Sequence, residues 1–158
     1  MRSRKSITRM AAAACAFMLA IGGPACAQPS GSDRLARGEA VMRTLNAGQA
    51  QPTLEALRRD FPFLADAITG YALGDVWGRP VLDHRTRQIA AVAAFAALGH
   101  RPFMKIHAGY ALNLGVTPEE LKEVVYLTTV HAGFPRAIEA AQTLSELFRE
   151  REQAGGVK

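Results

Sequence analysis

Cysteine is nearly absent from this sequence. The 158 residues include two, Cys15 and Cys26, and both lie close to the N-terminus. Disulfide bonds, thiol redox catalysis and cysteine-ligated metal sites all require cysteine within the folded domain. These three chemistries are therefore excluded if the N-terminal segment is removed after synthesis.

Acidic residues are missing from the first 27 positions, which carry four basic residues and then an apolar run over residues 11–23. That run is too short to span a bilayer. It leads to Ala25-Cys26-Ala27, the small-residue pattern at which signal peptidase cleaves. We therefore predict a Sec-type signal peptide over residues 1–27 and a periplasmic or secreted protein that begins at Gln28.

Two other interpretations of this segment are an uncleaved membrane anchor and a lipidated Cys26. The short apolar run and the cleavage site argue against an anchor. Gly23 and Pro24 fit poorly ahead of a lipidated cysteine. We therefore expect no contact with the membrane after cleavage.

The excess of positive charge belongs mostly to the same segment. Four of the 19 Lys and Arg residues lie in it, which leaves 15 against 14 acidic residues. A domain so close to neutral gives no electrostatic reason to expect nucleic acid or an anionic membrane as a partner. The roughly 131 residues that remain are enough for one domain with a hydrophobic core.

Alternating strand patterns and internal repeats are also missing, and helical periodicity dominates. We predict an all-α, single-domain helical bundle over residues 32–152, with a flexible leader over 28–31 and a frayed tail over 153–158. Helices are expected to begin near residues 32, 53, 63, 84, 101, 118 and 136. Their expected starts are polar caps or prolines, and glycines end several of them.

Individual residues give more specific predictions about caps, helix breaks and buried faces. Asp83 is predicted to cap an alanine-rich helix that neighbouring elements or another subunit bury on every side, and Thr53 to cap the helix after Pro52. The glycines and proline of residues 74–80 are predicted to interrupt the helix before Asp83. Glu120 should complete a capping box with Thr117. Two sets are predicted to face the core in the last helices: Leu121, Val124, Val125 and Thr128, and then Ile138, Ala141, Leu144 and Phe148.

One histidine lies on an apolar helical face. The side chains of Phe103, His107, Tyr110 and Leu114 follow one another at spacings of four, three and four residues, which places them on one side of a helix. A titratable ring on such a face is either a core histidine hydrogen-bonded to the backbone or a functional acid or base. Sequence spacing alone leaves both interpretations open.

Several segments together resemble the carboxymuconolactone decarboxylase family. The most specific are "GDVW", the "TR" that opens a small-residue helix, and His107 placed eight residues before "GVTPEEL". The resemblance extends over nearly all of residues 34–148. It implies an all-helical fold, a ring-like homo-oligomer (trimer or hexamer) with pockets near subunit contacts, and a small-molecule substrate decarboxylated without a cofactor. The chain lacks the Cys-x-x-Cys pair of the alkylhydroperoxidase-like branch, so thiol peroxidase activity is excluded.

The resemblance also assigns candidate site residues. His107, His131 and Arg87 are the candidate catalytic residues, and Asp75, Trp77 and Tyr110 are the candidate substrate-binding residues. Other interpretations are a helix C-terminal cap for His131, an ion pair between Arg87 and Asp75, and simple packing for Trp77. No two histidines have the i, i+4 spacing of a helix-borne metal site, and we predict no metal.

The chain departs from the family pattern at three positions. Gly109, Ala132 and Ile138 stand where the decarboxylases carry arginine, cysteine and asparagine. Loss of an arginine removes a bidentate clamp for a carboxylate. The departures favour either a different small lactone or carbonyl-bearing acid as substrate, reached by decarboxylation or by a proton-transfer isomerisation, or a non-catalytic periplasmic ligand-binding or assembly protein with a decayed site.

Overall fold

The structure is a computed structural model that describes residues 30–155. The predicted signal peptide and the first two residues of the predicted leader lie outside these residues. The described part is all-helical, without strands, which confirms the predicted fold class. Its helices are α1 (Gly31–Leu45), α2 (Pro52–Asp60), α3 (Pro62–Ala67), α4 (His84–Leu98), α5 (Arg101–Asn113) and α6 (Pro118–Gly155). α3 continues directly into a π-helical segment, Ile68–Trp77.

Local capping chemistry sets most of the helix ends. The Asp83 side chain accepts a hydrogen bond from the backbone N–H of Thr86 and so caps α4, and Gly99 ends that helix in the left-handed conformation at φ 74°. Thr117 and Glu120 form the predicted reciprocal capping box at the start of α6. For α2 the expected cap was wrong, because the side chain of Gln51, not Thr53, makes the capping hydrogen bond.

The helix was expected to be interrupted at residues 74–80, but residues 74–77 belong to the π-helical segment. Its glycines allow close packing against α1: a Cβ on Gly38 would overlap the carbonyl oxygen of Thr69, and one on Gly74 would overlap that of Arg34. π-helical turns are rare and usually short, so ten residues of π-helix are unusual. The predicted break was right for residues 78–80, which separate this segment from α4, and wrong for residues 74–77, where tertiary contact with α1 outweighs the poor helix propensity of glycine.

Two hydrophobic clusters meet at α5. The larger joins α4, α5 and α6 and includes the fully buried Val92, Ala108 and Leu121. The smaller joins α1, the π-helical segment and α5, through Leu73 and Tyr110 among others. A side chain on α5 can therefore contact both halves of the bundle.

Burial follows the predicted pattern in the first half of α6 and departs from it elsewhere. The four residues predicted to face inward from 121 to 128 are all buried. Beyond the break at Gly133, where φ is 83°, the small residues Ala137 and Ala140 face the core and Ile138 stays 55% exposed. The face predicted for this last helix was therefore right at Leu144 and wrong at Ile138 and Ala141, because two alanines rather than the larger Ile138 fill the contact with the core. Helical periodicity alone did not distinguish these neighbouring faces. On α4, Ala94 and other residues are exposed, so the single chain does not bury this helix on every side, and its burial by another subunit stays a prediction.

None of the helices in the described range is long and apolar enough to cross a membrane.

The close contact between α1 and the π-helical segment gives a stability prediction. Gly38→Ala places a methyl group where the Thr69 carbonyl lies, so α1 must shift away. We expect the free energy of unfolding, measured by urea denaturation, to fall by about 1–3 kcal/mol. Gly31→Ala on the same helix is the control, since nothing lies within 4 Å of its new Cβ. Equal stability of the two variants would contradict the packing argument.

Candidate functional site

His107 lies in a surround of aromatic rings. Its ring centroid is 5.8 Å from that of Trp77, which stacks on it, and 5.0 Å from that of Phe95. Tyr110 approaches edge-on at 5.7 Å. The π-helical segment supplies Trp77, α4 supplies Phe95, and α5 supplies His107 and Tyr110. The imidazole therefore sits where the two halves of the bundle meet.

A buried amide holds this imidazole. The Oε1 of Gln88 lies 2.8 Å from Nδ1 of His107, and Gln88 is fully buried. Because a carboxamide oxygen only accepts, His107 donates its Nδ1–H, and the neutral ring then carries its lone pair on Nε2. The Nε2 of Gln88 is buried without a hydrogen-bond partner among the described residues. One polar group of the site is thus positioned but unsatisfied.

Burial lowers the pKa of His107 from 6.5 to about 4. The cause is desolvation, since removing the ring from water disfavours its charged form. The imidazole is therefore neutral at pH 7 when no anion is bound. In this state it can accept a proton at Nε2, and it needs an added negative charge nearby before it can act as an acid.

Sequence reasoning missed Gln88. The sequence nevertheless distinguishes Gln88, because it is a single polar residue on the buried face of an alanine-rich helix, a face that continues with Val92 and Ala96. A fully buried polar side chain requires a hydrogen-bond partner. Its pairing with His107 joins residues 19 positions apart on different helices, which the sequence alone does not reveal.

The structure brings two of the other candidate residues to His107. They are Trp77 and Tyr110, whose rings contact it. The hydroxyl of Tyr110 donates to the Sδ of Met42 at 3.7 Å, and burial raises the pKa of this phenol. Tyr110 is therefore a neutral donor and part of the packed wall.

The remaining candidates are placed elsewhere. Asp75 forms ion pairs with Arg34 at 2.5 Å and Arg37 at 2.9 Å, between the π-helical segment and α1. Arg87 donates from Nε to the carbonyl of Leu82 and from Nη2 to that of Arg79, both at 3.0 Å.

Arg87 therefore fixes the loop before α4, and the alternative ion pair with Asp75 is not formed among the described contacts. His131 is exposed on α6, two residues before the break at Gly133. The assignment of Asp75, Arg87 and His131 to the site remains a prediction.

A guanidinium lies against Gly109 even though this residue carries no side chain. Arg151 of α6 donates from Nη2 to the Gly109 carbonyl at 2.9 Å and to Oδ1 of Asn113 at 2.8 Å. Two surface clefts are present, of about 430 and 420 Å³, and His107 lines neither. Within residues 30–155, no three histidine, cysteine or acidic side chains cluster closely enough to hold a metal ion.

Comparison with known proteins gives one family. Residues 62–146 match the model of the carboxymuconolactone decarboxylase family. The chain is 35% identical to 4-carboxymuconolactone decarboxylase of Acinetobacter baylyi over 110 residues, which cover 70% of this chain and 80% of that protein.

Two further relatives are more distant. The chain is 32% identical to nitrosuccinic acid decarboxylase of Metarhizium robertsii over 65% of this chain and 74% of that one. It is 25% identical to an uncharacterized protein of Methanocaldococcus jannaschii, over 60% of this chain and 88% of that protein.

The low pKa of His107 makes stability depend on pH. As the pH falls, the unfolded chain binds the proton near 6.5 and the folded protein only near 4. The stability that the neutral form of His107 contributes to the folded protein is therefore fully present above pH 6.5 and is lost as the pH falls toward 4. We expect the wild type to lose roughly 3 kcal/mol of unfolding free energy relative to His107→Gln between about pH 7 and pH 4, measured by urea unfolding.

Gln88→Glu supplies the control for this measurement. A carboxylate opposite Nδ1 stabilises the imidazolium and raises the pKa of His107, so the pH dependence should shrink. Identical pH profiles for wild type, Gln88→Glu and His107→Gln would show that His107 is not buried in its neutral form.

Proposed function

The chain belongs to the carboxymuconolactone decarboxylase family, and we propose that it removes carbon dioxide from a small lactone or carbonyl-bearing acid without a cofactor. Its relatives support a decarboxylase-type lyase activity. The observation that carries the finer proposal is the neutral, amide-held imidazole of His107 within an aromatic surround.

The two named decarboxylases indicate what kind of substrate suits this fold. One acts on a carboxymuconolactone and the other on nitrosuccinic acid. Each name combines a carboxylate with an electron-accepting group, a lactone in one case and a nitro group in the other. Such a group can take up the electron pair that departing carbon dioxide leaves behind. A substrate of this chain should carry the same combination.

The aromatic surround promotes loss of carbon dioxide. A carboxylate is well solvated in water, whereas the transition state spreads its charge into the electron-accepting group. Replacing water with aromatic side chains therefore disfavours the starting anion more than the transition state. The carbon–carbon bond breaks, carbon dioxide leaves, and its electron pair forms an enolate-like anion within the substrate. The electrons stay in the substrate, so this route needs no cofactor.

His107 then handles the proton. A carboxylate bound beside the ring raises the pKa of His107, which takes up a proton from solvent at Nε2. After carbon dioxide has left, this proton passes to the enolate carbon and the ring returns to its neutral form. The Oε1 of Gln88 accepts Nδ1–H throughout and so keeps the ring oriented. A proton-transfer isomerisation would use the same anion and the same groups.

A homo-oligomer would close this site. Phe103 stacks on Phe95 at a centroid distance of 5.7 Å and is 51% exposed, so the row of rings from His107 reaches the surface of the single chain. Val130 and Phe134 are 74% and 71% exposed. Apolar side chains exposed in this number favour burial against other subunits. We propose a trimer or hexamer in which a neighbouring subunit covers this row.

A non-catalytic ligand-binding or assembly protein is the second candidate. The observation in its favour is that His107 lines neither cleft of the single chain. In that case ligands would raise the melting temperature without being converted.

Turnover of carboxymuconolactone and related butenolides tests the first candidate. We expect His107→Gln to lower kcat by about 10²–10⁴-fold because the proton donor is lost. Gln88→Leu should lower kcat less and shift its pH profile, since Gln88 acts by positioning His107. His100→Gln is the matched control: His100 is an exposed histidine that does not contact His107 and meets the aromatic surround only edge-on at Phe95, at a centroid distance of 6.4 Å. If the wild type turns over none of these substrates, or if His107→Gln is fully active, the assignment is wrong.

Export and assembly can be measured together. We propose that the signal peptide is cleaved after Ala27 and that the exported chain assembles. Native mass spectrometry of protein recovered from the periplasm or the medium should give a subunit that begins at Gln28, in assemblies of three or six. An intact N-terminus in the cell extract would contradict export, and a monomer would contradict assembly.

A further inference from the structure

A cleft of about 420 Å³ lies between α1 and the loop that leads into α4. Arg37 and Val41 of α1 line one side, and Gly78, Arg79 and His84 are among the residues that line the other. None of the candidate catalytic or substrate-binding residues lines it. Its wall carries two guanidinium groups and an imidazole.

Positive charge in this cleft is only partly neutralised. Asp75 is shared between Arg37 and Arg34, so one carboxylate faces two guanidinium groups. Asp83 also lines the cleft and stays negatively charged, since its hydrogen bonds from Thr86 stabilise the carboxylate. The three guanidinium groups of Arg34, Arg37 and Arg79 outnumber the carboxylates of Asp75 and Asp83. An anion entering the cleft therefore meets net positive charge.

Two side chains at the cleft, those of His84 and Arg79, can form further hydrogen bonds. The Nδ1 of His84 is buried without a partner among the described residues. The backbone of Arg79 is fixed through its carbonyl by Arg87, while its side chain is exposed. A guanidinium on an anchored backbone loses less freedom when it binds a carboxylate than one on a mobile loop.

The cleft adjoins the aromatic surround of His107. Gly78, which lines the cleft, directly follows Trp77, whose ring stacks on His107. Val41 lines the cleft and belongs to the same hydrophobic cluster as Tyr110. His84 lies one helical turn before Gln88 on α4. The cleft and the aromatic surround therefore lie on neighbouring residues of the same elements, with Trp77 and the cluster of Val41 and Tyr110 at their common wall.

We propose that this cleft binds a carboxylate of a small dicarboxylic acid, with Arg79 and Arg37 as its guanidinium partners and His84 as an additional hydrogen-bonding partner. The inference rests on the proposed function, in which one carboxylate leaves as carbon dioxide beside His107. The cleft holds the carboxylate that is retained. Arginine pairs with carboxylates through two parallel hydrogen bonds, which fixes the orientation of the bound acid.

This assignment changes the expectation drawn from Gly109. Absence of an arginine at that position suggested that the clamp for a second carboxylate was lost. Arg37 and Arg79 supply guanidinium groups from other elements, α1 and the loop before α4. A dicarboxylic substrate is therefore compatible with this chain.

Trp77 gives a direct binding readout because it is the only tryptophan in the sequence. We would titrate the assembled protein with succinate and follow the fluorescence of Trp77 at constant ionic strength. We expect saturable binding, with the Kd raised about tenfold or more in Arg79→Gln and in Arg37→Gln, since each removes a charged hydrogen-bonding partner. Arg43→Gln, an equal charge change at an exposed position of α1 outside the cleft, should leave Kd unchanged.

Two results would overturn the proposal. One is a fluorescence change that does not saturate or that is the same in Arg79→Gln, Arg37→Gln and Arg43→Gln. The other is tighter binding of inorganic phosphate than of succinate with the same dependence on Arg79, which would indicate a general anion site. Circular dichroism of each variant establishes that loss of binding does not reflect loss of folding.

Turnover separates this proposal from the proposed function. Raised KM with unchanged kcat for Arg79→Gln, alongside weaker succinate binding, supports both. Succinate binding that depends on Arg79 in a protein that converts no substrate supports the cleft and rejects the decarboxylase. Normal turnover by Arg79→Gln with unaltered succinate binding rejects the cleft alone.

Discussion

The hydrogen bond between the Nδ1 of His107 and the Oε1 of Gln88 is the interaction on which the site depends. A buried imidazole with no partner would lose the hydrogen bonds that it makes in water, at a cost of about 1–3 kcal/mol. The fully buried amide of Gln88 offsets that cost and fixes the tautomer. This amide accepts a hydrogen bond and carries no charge, so it orients the ring without raising the pKa of His107 as a carboxylate would. The imidazole can then remain neutral among Trp77, Phe95 and Tyr110.

Close packing of α1 on the π-helical segment brings Trp77 to this imidazole. Gly38 and Gly74 allow the two backbones to approach until only a hydrogen atom fits between each glycine and the opposite carbonyl. Asp75 adds ion pairs to Arg34 and Arg37 across the same contact. These pairs are partly exposed and each contributes little to stability. Their larger effect is on position, because they lie beside the turn that carries Trp77.

How much could be predicted from the sequence depends on how local each interaction is. The caps at Asp83 and at Thr117 were predicted correctly because they join residues three positions apart. The helix through residues 74–77 was missed because its glycines serve a contact with α1, which helix propensity does not register. The burial of the last part of α6 was misjudged at Ile138 and Ala141 because the sequence pattern favours the larger side chain for the core, whereas Ala137 and Ala140 pack there. Gln88 was missed for a related reason, since its partner lies 19 residues away on another helix.

A neutral imidazole with a pKa of about 4 suits an acid whose substrate is itself an anion. Protonating His107 is unfavourable when no carboxylate is bound. Few molecules of the protein therefore carry a protonated His107 at neutral pH. A bound carboxylate reverses the balance by attraction to the imidazolium, and binding and proton uptake are then thermodynamically coupled. In the proposed mechanism the ring thus becomes an acid only when a carboxylate lies beside it. Because residues 28–158 carry 15 Lys and Arg residues against 14 acidic residues, selection of such an anion rests on groups at the site and its margins rather than on a long-range field.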